Sequence, residues 1–138
     1  MNYPKNLRSL LLLLVLLGVG LASCSKKREG NPKVLIFSKT AGFYHESIPQ
    51  GIAAIQKLGA ENGFEVDTTK NAELINEENL AQYAAVIFLS TTGDVLNPAQ
   101  EVDFERYIQS GGGYVGIHAA ADTEYEWGWY GRLVGGYF

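Results

Sequence analysis

The two histidines of the chain, His45 and His118, are the residues with the clearest chemical potential. Imidazole is the side chain whose protonation change falls nearest neutral pH, so it suits proton transfer, and its free nitrogen is a common metal ligand. His118 follows a short apolar run in GGGYVGIHAAAD, and His45 lies in the polar segment AGFYHES. We predict that both are catalytic residues. The same pair is a candidate ligand set for a divalent metal such as zinc.

Asp122 and Thr92 extend this candidate site with oxygen-bearing side chains. Asp122 follows His118 closely, and its carboxylate could orient the imidazole as a base. Thr92, in the segment TTGD, could hydrogen-bond a substrate rich in hydroxyl groups. Each residue has an ordinary structural alternative, because Asp122 could be the N-cap of a helix and Thr92 could belong to a simple turn.

A run of aromatic residues follows His118, and it could bind the apolar face of a sugar ring by stacking. Core packing beneath a loop explains the same residues equally well. The predicted substrate-binding aromatics are Tyr125, Trp127 and Trp129.

The elements that position these residues alternate between strands and helices. Apolar runs of strand length occur at 33–38, 64–69, 85–90 and 113–117. Helix-start signals lie between them, at Ser47 with Gln50, at Asn76, and at Asn97 with Pro98. This alternation predicts an α/β domain with a parallel sheet. Parallel sheets bind ligands beyond the carboxyl ends of their strands, so the loops at 39–47, 90–97 and 118–130 should form the site. Closely spaced glycines after Trp127 predict an irregular loop there.

The first 24 residues have the features of a bacterial export signal that ends in a lipidation site. Lys5 and Arg8 precede an apolar run, and Leu21-Ala22-Ser23-Cys24 has the pattern of a lipobox. Residues 1–24 are therefore predicted to be a lipoprotein signal peptide, with Cys24 lipidated, and residues 25–32 a polar tether. The predicted location is the bacterial cell envelope, on the periplasmic face or the outer membrane. An ordinary secreted protein is the alternative.

Charge and cysteine content exclude several classes of function. The formal net charge is −4, and the chain has no basic cluster beyond the Lys26-Lys27-Arg28 tether, so no nucleic-acid partner is expected. Cys24 is the only cysteine. The domain can therefore form no intrachain disulfide and has no cysteine nucleophile.

Three segments resemble the ThuA-like (trehalose utilisation) family, a branch of the class I glutamine amidotransferase-like superfamily. They are KVLIFSKTAGFYHESIPQGIAAI, AVIFLSTTGDVLN and GGGYVGIHAAADTEYEWGWYGRLVGGYF. The resemblance covers residues 33–138 and implies a flavodoxin-like three-layer α/β/α fold. Family members usually extend well beyond the last of these segments, so the domain is expected to be incomplete at its C-terminus.

The resemblance also bears on function. Amidotransferase relatives carry a nucleophilic cysteine at the turn that His118 occupies here, so this chain is not expected to be a glutaminase. The family implies a role in carbohydrate utilisation, with trehalose, another disaccharide or a keto-sugar as the small-molecule partner. Hydrolase, isomerase and lyase activities all remain open. The alternatives are a non-catalytic glycan-binding lipoprotein and an inactive fragment of a longer protein. The sequence leaves the oligomeric state open.

Overall fold

The computed structural model describes residues 30–137, which form one parallel sheet with helices on both faces. The predicted signal peptide, Cys24 and the basic part of the tether lie outside the described residues. The four strands are β1 (Lys33–Phe37), β2 (Glu65–Thr69), β3 (Ala85–Leu89) and β4 (Gly113–Ile117). The helices are α1 (Ile48–Asn62), α2 (Glu77–Leu80), α3 (Pro98–Gln109) and α4 (Gly128–Val134). The predicted α/β class with a parallel sheet is confirmed.

The sheet has the strand order β2-β1-β3-β4, with every neighbouring pair parallel. The chain therefore changes direction across the sheet between β1 and β3, which is the switch point where such sheets bind ligands. We call the segments that follow β1, β3 and β4 the β1 loop (38–47), the β3 loop (90–97) and the β4 loop (118–127). All three leave the sheet at the same carboxyl edge.

Two apolar layers hold the helices against the sheet. On one face, Ile48 and Ile55 of α1 pack with Ile36, Ile87 and Leu89. The other face is centred on Phe88, which is fully buried. Its ring centroid lies 5.1 Å from that of Phe104 in α3 and 5.7 Å from that of Tyr130 in α4. Alternate side chains of each strand thus pack into opposite apolar layers, which gives the three-layer α/β/α arrangement.

Local chemistry explains most element boundaries. Asn97 caps α3, because its side-chain oxygen accepts hydrogen bonds from the Ala99 and Gln100 amides. The Gln100 side-chain oxygen in turn accepts a hydrogen bond from the Asn97 amide. Gly63 ends α1 with a φ of +73°, a conformation that glycine adopts without steric cost. Asn76 caps α2, as its helix-start signal predicts, and this helix is a single turn that ends at Leu80.

The predicted helix start at Ser47 is confirmed, because Ser47 is the N-cap residue of α1, although its side chain makes no capping hydrogen bond. Two other local interpretations are wrong. Asp122 is not a helix N-cap, because residues 118–122 form a 3-10 turn and α4 begins only at Gly128. The glycine-rich segment expected to be irregular contains α4, because tertiary packing of Tyr130 and its neighbours outweighs the low helix propensity of glycine.

Candidate active site at the carboxyl edge of the sheet

His118 is the first residue after β4, and its backbone has a φ of +54°. This left-handed conformation is unfavourable for a residue with a Cβ, and it turns the chain sharply out of the sheet. Gly116 makes the turn possible, since a Cβ there would lie 2.7 Å from the Tyr114 hydroxyl and 3.2 Å from the Ala120 Cβ. The turn leaves the His118 side chain exposed.

His45 approaches His118 from the β1 loop. The centroids of the two imidazole rings are 4.5 Å apart, and the rings meet edge to face at 73°. The Phe43 ring also packs on His45, with ring centroids 4.9 Å apart, and Phe43 is 70% exposed. The Ile48 amide donates to the His45 carbonyl at 3.1 Å, which ties this backbone to the start of α1. Residues far apart in sequence therefore form one imidazole pair at the rim of the sheet.

Thr92 lies at the centre of the three loops, with its side chain fully buried. Its hydroxyl donates to the Phe43 carbonyl at 2.9 Å, and its carbonyl accepts from the Ala41 and Gly42 amides at 2.7 and 3.2 Å. These bonds join the β3 loop to the β1 loop, which carries His45. Substrate binding by Thr92 stays a prediction, and the geometry adds a positioning role.

A second set of bonds joins the β3 loop to the β4 loop. The Gly93 amide donates to the Asp122 carbonyl at 2.8 Å, and the Glu124 amide donates to the Gly93 carbonyl at 3.2 Å. The hydroxyls of Thr91 and Thr123 lie 2.8 Å apart. Gly93 has a φ of +72°, as its place in a turn predicts. The three loops thus form one hydrogen-bonded assembly around the imidazole pair.

Asp122 and Tyr125 interact with each other within the β4 loop. The Tyr125 hydroxyl donates to the Asp122 carboxylate at 2.8 Å. This bond is the largest cause of a raised pKa for the Tyr125 hydroxyl, because the neutral phenol is the donor. The Tyr125 ring is 47% exposed and lies 4.6 Å from that of Tyr137. Orientation of His118 by Asp122 stays a prediction.

Trp127 and Trp129 stack on each other with ring centroids 5.0 Å apart. Both rings also meet Phe104 edge-on, at 6.4 and 6.3 Å, and both are partly buried against the core. Core packing under the loop, the structural alternative for these residues, is therefore present. Sugar stacking by the two tryptophans stays a prediction.

Glu124 is a residue of this assembly that the sequence-based site omits. It is fully buried and has a φ of +55°. One carboxyl oxygen accepts from the Val95 and Leu96 amides at 2.8 and 2.7 Å. Burial is the largest cause that raises the pKa of Glu124 to about 7, followed by its interaction with Asp94. No local signal marks it, because its amide partners lie in a different loop.

The two imidazoles of this site are also candidate metal ligands. A catalytic zinc ion usually takes three protein ligands. Within residues 30–137, no group of three or more His, Cys, Asp or Glu side chains has the geometry to hold a metal ion. Metal binding by His45 and His118 stays a prediction.

Comparisons with known proteins bear on the family and the fold of the chain. Residues 33–138 match the family model described as ThuA, trehalose utilisation. The crystal structure of a ThuA-like protein from Bacteroides uniformis is similar, with 28% sequence identity and a TM-score of 0.64. The match covers 82% of this chain and 47% of that one, so the chain spans about half the length of that relative. No match was found among the curated proteins.

Proposed function

Because the chain belongs to the ThuA family, whose general role is carbohydrate utilisation, we propose that His118 and His45 perform acid–base chemistry on a sugar or a keto-sugar derivative. The observation that carries the proposal is the 4.5 Å contact between the two imidazole rings at the carboxyl edge of the sheet. This edge is where parallel α/β sheets bind their ligands.

The two histidines differ in exposure, which suggests different roles. His118 is exposed and can reach a bound substrate, whereas His45 is half-buried and its ring contacts those of Phe43 and His118. We assign His118 as the base that removes a proton from a sugar hydroxyl or from a carbon next to a ketone. His45 then exchanges a proton with the substrate or with His118. Isomerisation, elimination and hydrolysis all use this chemistry.

The loop assembly supports the same proposal, because general acid–base catalysis requires precise positions of both groups. Thr92 holds the β1 loop through its hydroxyl and carbonyl, and the 3-10 turn that begins at His118 packs back on Gly116. Asp122 and Tyr125 lie farther along the β4 loop, where their hydrogen-bonded pair offers polar groups to the substrate.

The test is turnover by His118→Ala and His45→Ala on a panel of trehalose, other disaccharides and their keto derivatives, with products detected by NMR. We expect turnover to fall by about 10²-fold or more for His118→Ala, as is usual for loss of a general base. Lys57→Ala is the matched control, since Lys57 is exposed on α1 away from the loops. Undiminished turnover by His118→Ala on every accepted sugar would sink the proposal.

Glycan binding without catalysis is the second candidate, and the exposure of Phe43 and Tyr125 beside the site favours it. This candidate requires saturable sugar binding that survives His118→Ala and falls for Tyr125→Ala or Trp129→Ala. The tryptophan variant needs a thermal unfolding control, because Trp129 also packs on Phe104. Binding by calorimetry together with absence of any product would select this candidate over the enzyme.

We also propose that the protein is exported and anchored to the bacterial envelope through acylated Cys24. The support is the sequence Leu21-Ala22-Ser23-Cys24 after an apolar run. Within residues 30–137, no helix combines the length and apolar character needed to span a bilayer. Full-length protein should incorporate labelled palmitate and fractionate with membranes, and Cys24→Ser should do neither. Label on Cys24→Ser would contradict the assignment.

A further inference from the structure

Tyr125 and Tyr137 form an exposed aromatic pair beside the candidate site. Their ring centroids lie 4.6 Å apart, and the ring planes are inclined at 31°. The two residues are 47% and 38% exposed, whereas Trp127 and Trp129 are partly buried against the core. Of the two aromatic pairs, the tyrosine pair therefore presents more surface to solvent.

Both tyrosine hydroxyls are bonded to the β4 loop. The Tyr125 hydroxyl donates to the Asp122 carboxylate at 2.8 Å, and the Tyr137 hydroxyl donates to the Glu124 carbonyl at 3.0 Å. These bonds hold each ring by its polar end, which leaves the apolar part of the ring for contact with a ligand.

Two glycines of α4 set the position of Tyr137. Gly135 ends the helix with a φ of +88°, a left-handed conformation in which the chain turns back. A Cβ at Gly131 would lie 2.7 Å from the Tyr137 hydroxyl oxygen and 2.9 Å from its Cε2 atom, so the ring rests directly on the helix backbone. A ring already fixed by these contacts loses little freedom when a ligand binds.

The tyrosine pair borders the same part of the sheet edge as the imidazole pair. Asp122, the acceptor for Tyr125, ends the 3-10 turn that begins at His118. Such a turn advances about 2 Å a residue, which places the two Cα atoms about 8 Å apart. The Asp122 carbonyl also accepts from the Gly93 amide at 2.8 Å, which ties the turn to the loop assembly around the histidines.

A sugar ring matches the chemistry of this surface. Its C–H groups form an apolar face that packs on aromatic carbon, and its hydroxyls need hydrogen-bond acceptors at the rim. A carboxylate has lone pairs for several donors, so Asp122 can accept from a sugar hydroxyl as well as from Tyr125. We propose that Tyr125 and Tyr137 form a subsite for the second ring of a disaccharide whose first ring lies at His45 and His118. This inference rests on the proposed function and narrows its substrate class to sugars of two or more rings.

The first experiment is NMR titration of the full chain with trehalose, maltose and cellobiose as two-ring probes and glucose as the one-ring probe. Contact of a second ring with the tyrosines should make at least one two-ring probe bind about tenfold more tightly than glucose. Affinities for all three two-ring probes that are equal to or below that for glucose would overturn the proposal.

Substitution of each tyrosine by leucine keeps an apolar side chain and removes the flat ring. Tyr125→Leu and Tyr137→Leu should each weaken the preferred two-ring probe by about fivefold to tenfold and leave glucose binding unchanged. Tyr137→Phe keeps the ring and should retain most of the affinity. Leu58→Ala removes exposed apolar surface from α1 and is the control. Full two-ring affinity in both leucine variants, or an equal loss for glucose, would contradict the subsite.

Gly131→Ala tests the position of the ring with both tyrosines present. The new methyl group should displace the Tyr137 ring, and the chemical shifts of its ring protons report the movement. We expect the same selective loss of two-ring binding, with a thermal unfolding curve to show that the variant is folded. A displaced ring with unchanged two-ring affinity would overturn the proposal.

These affinities need no turnover, so the subsite and the acid–base assignment can fail separately. Selective loss of two-ring binding in the leucine variants, with undiminished turnover by His118→Ala, would keep the subsite and remove the assignment of His118. The reverse result would remove the subsite alone. Where turnover is measurable, the leucine variants should raise KM for the two-ring substrate more than they lower kcat.

Discussion

Ser90 and His118 end adjacent strands in the same unusual backbone conformation, with φ values of +49° and +54°. The strands β3 and β4 pair up to Leu89 and Ile117, and the Ser90 amide donates to the Ile117 carbonyl at 3.1 Å just beyond that pair. Left-handed residues at neighbouring strand ends turn both loops away from the sheet together. Such backbone strain is typical of functional sites, where the surrounding structure maintains it.

His118→Gly is therefore expected to separate function from stability. Glycine adopts the left-handed conformation without a Cβ clash, so this variant should be more stable than His118→Ala by about 1 kcal/mol. Urea unfolding measures the difference. The two variants should be equally inactive, because both lack the imidazole. Equal stability of the two would indicate that the strain at His118 is not significant.

Gly116→Ala should destabilise the domain and shift the turn at 118–122. The new methyl group would lie 2.7 Å from the Tyr114 hydroxyl and 3.2 Å from the Ala120 Cβ. The expected cost is about 1–3 kcal/mol, the usual range for overpacking. Addition of Tyr114→Phe removes the nearest atom and should restore part of the loss. Thermal unfolding of the two single variants and the double variant tests this, and an additive double variant would refute the steric explanation.

Tyr130→Phe should destabilise the domain because it removes the Tyr130 hydroxyl and leaves the ring in place. That hydroxyl donates to the Ala120 carbonyl at 2.8 Å and lies 2.8 Å from the Tyr114 hydroxyl, inside the core. Loss of these bonds is expected to cost about 1–2 kcal/mol. Tyr114→Phe and the double variant complete a mutant cycle by urea unfolding. A coupling energy near zero would mean that the two hydroxyls act independently.

Asp67 should make the stability of the domain sensitive to acid. The hydrogen-bonded pair with Lys33, at 2.7 Å, lowers the pKa of Asp67, and the Tyr83 hydroxyl adds a bond at 2.8 Å. Because the pKa of Asp67 is lower in the folded state than in the unfolded state, its ionised form stabilises the fold at pH values above the ordinary carboxyl pKa. This contribution is lost as the pH falls through the folded-state pKa.

Unfolding by urea across a series of acidic pH values checks this, with Asp67→Asn expected to weaken the decline in stability. Glu61→Gln is the control, since its exposed carboxylate makes only a 3.7 Å contact with Lys57. The effect of Asp67 should be modest, because its side chain is 43% exposed and solvent screens the pair. An identical acid profile in Asp67→Asn and the wild type would contradict the assignment.

Glu124 should oppose this trend near neutral pH. Its pKa is raised to about 7 mainly by burial, so the folded state binds a proton that the unfolded state has already released. Stability from this source is fully present below the ordinary carboxyl pKa and is lost as the pH rises through about 7. Thermal unfolding between about pH 5 and 8 should show a decline in the wild type that Glu124→Gln lacks. An equal decline in both would assign it to other groups.

The sequence by itself determined the four strands, the helices α1 to α3 and most of their boundaries, because those depend on neighbours in the chain. The apolar runs predict all four strands to within a residue or so, and Asn97-Pro98, Asn76 and Gly63 act through groups within one helical turn. Chain direction alone was enough to predict that His45 and His118 leave the sheet at the same edge.

Only the tertiary structure decided what each polar side chain of the site contacts. Thr92 bonds to Phe43, and Glu124 bonds to Val95 and Leu96. Such partners come from different loops, so no local pattern encodes them. Burial, which depends on the packed loops, raises the pKa of Glu124, while Glu126 nearby stays exposed. The 4.5 Å contact of His45 with His118 has the same origin, since the hydrogen bonds of the three loops hold the two rings together.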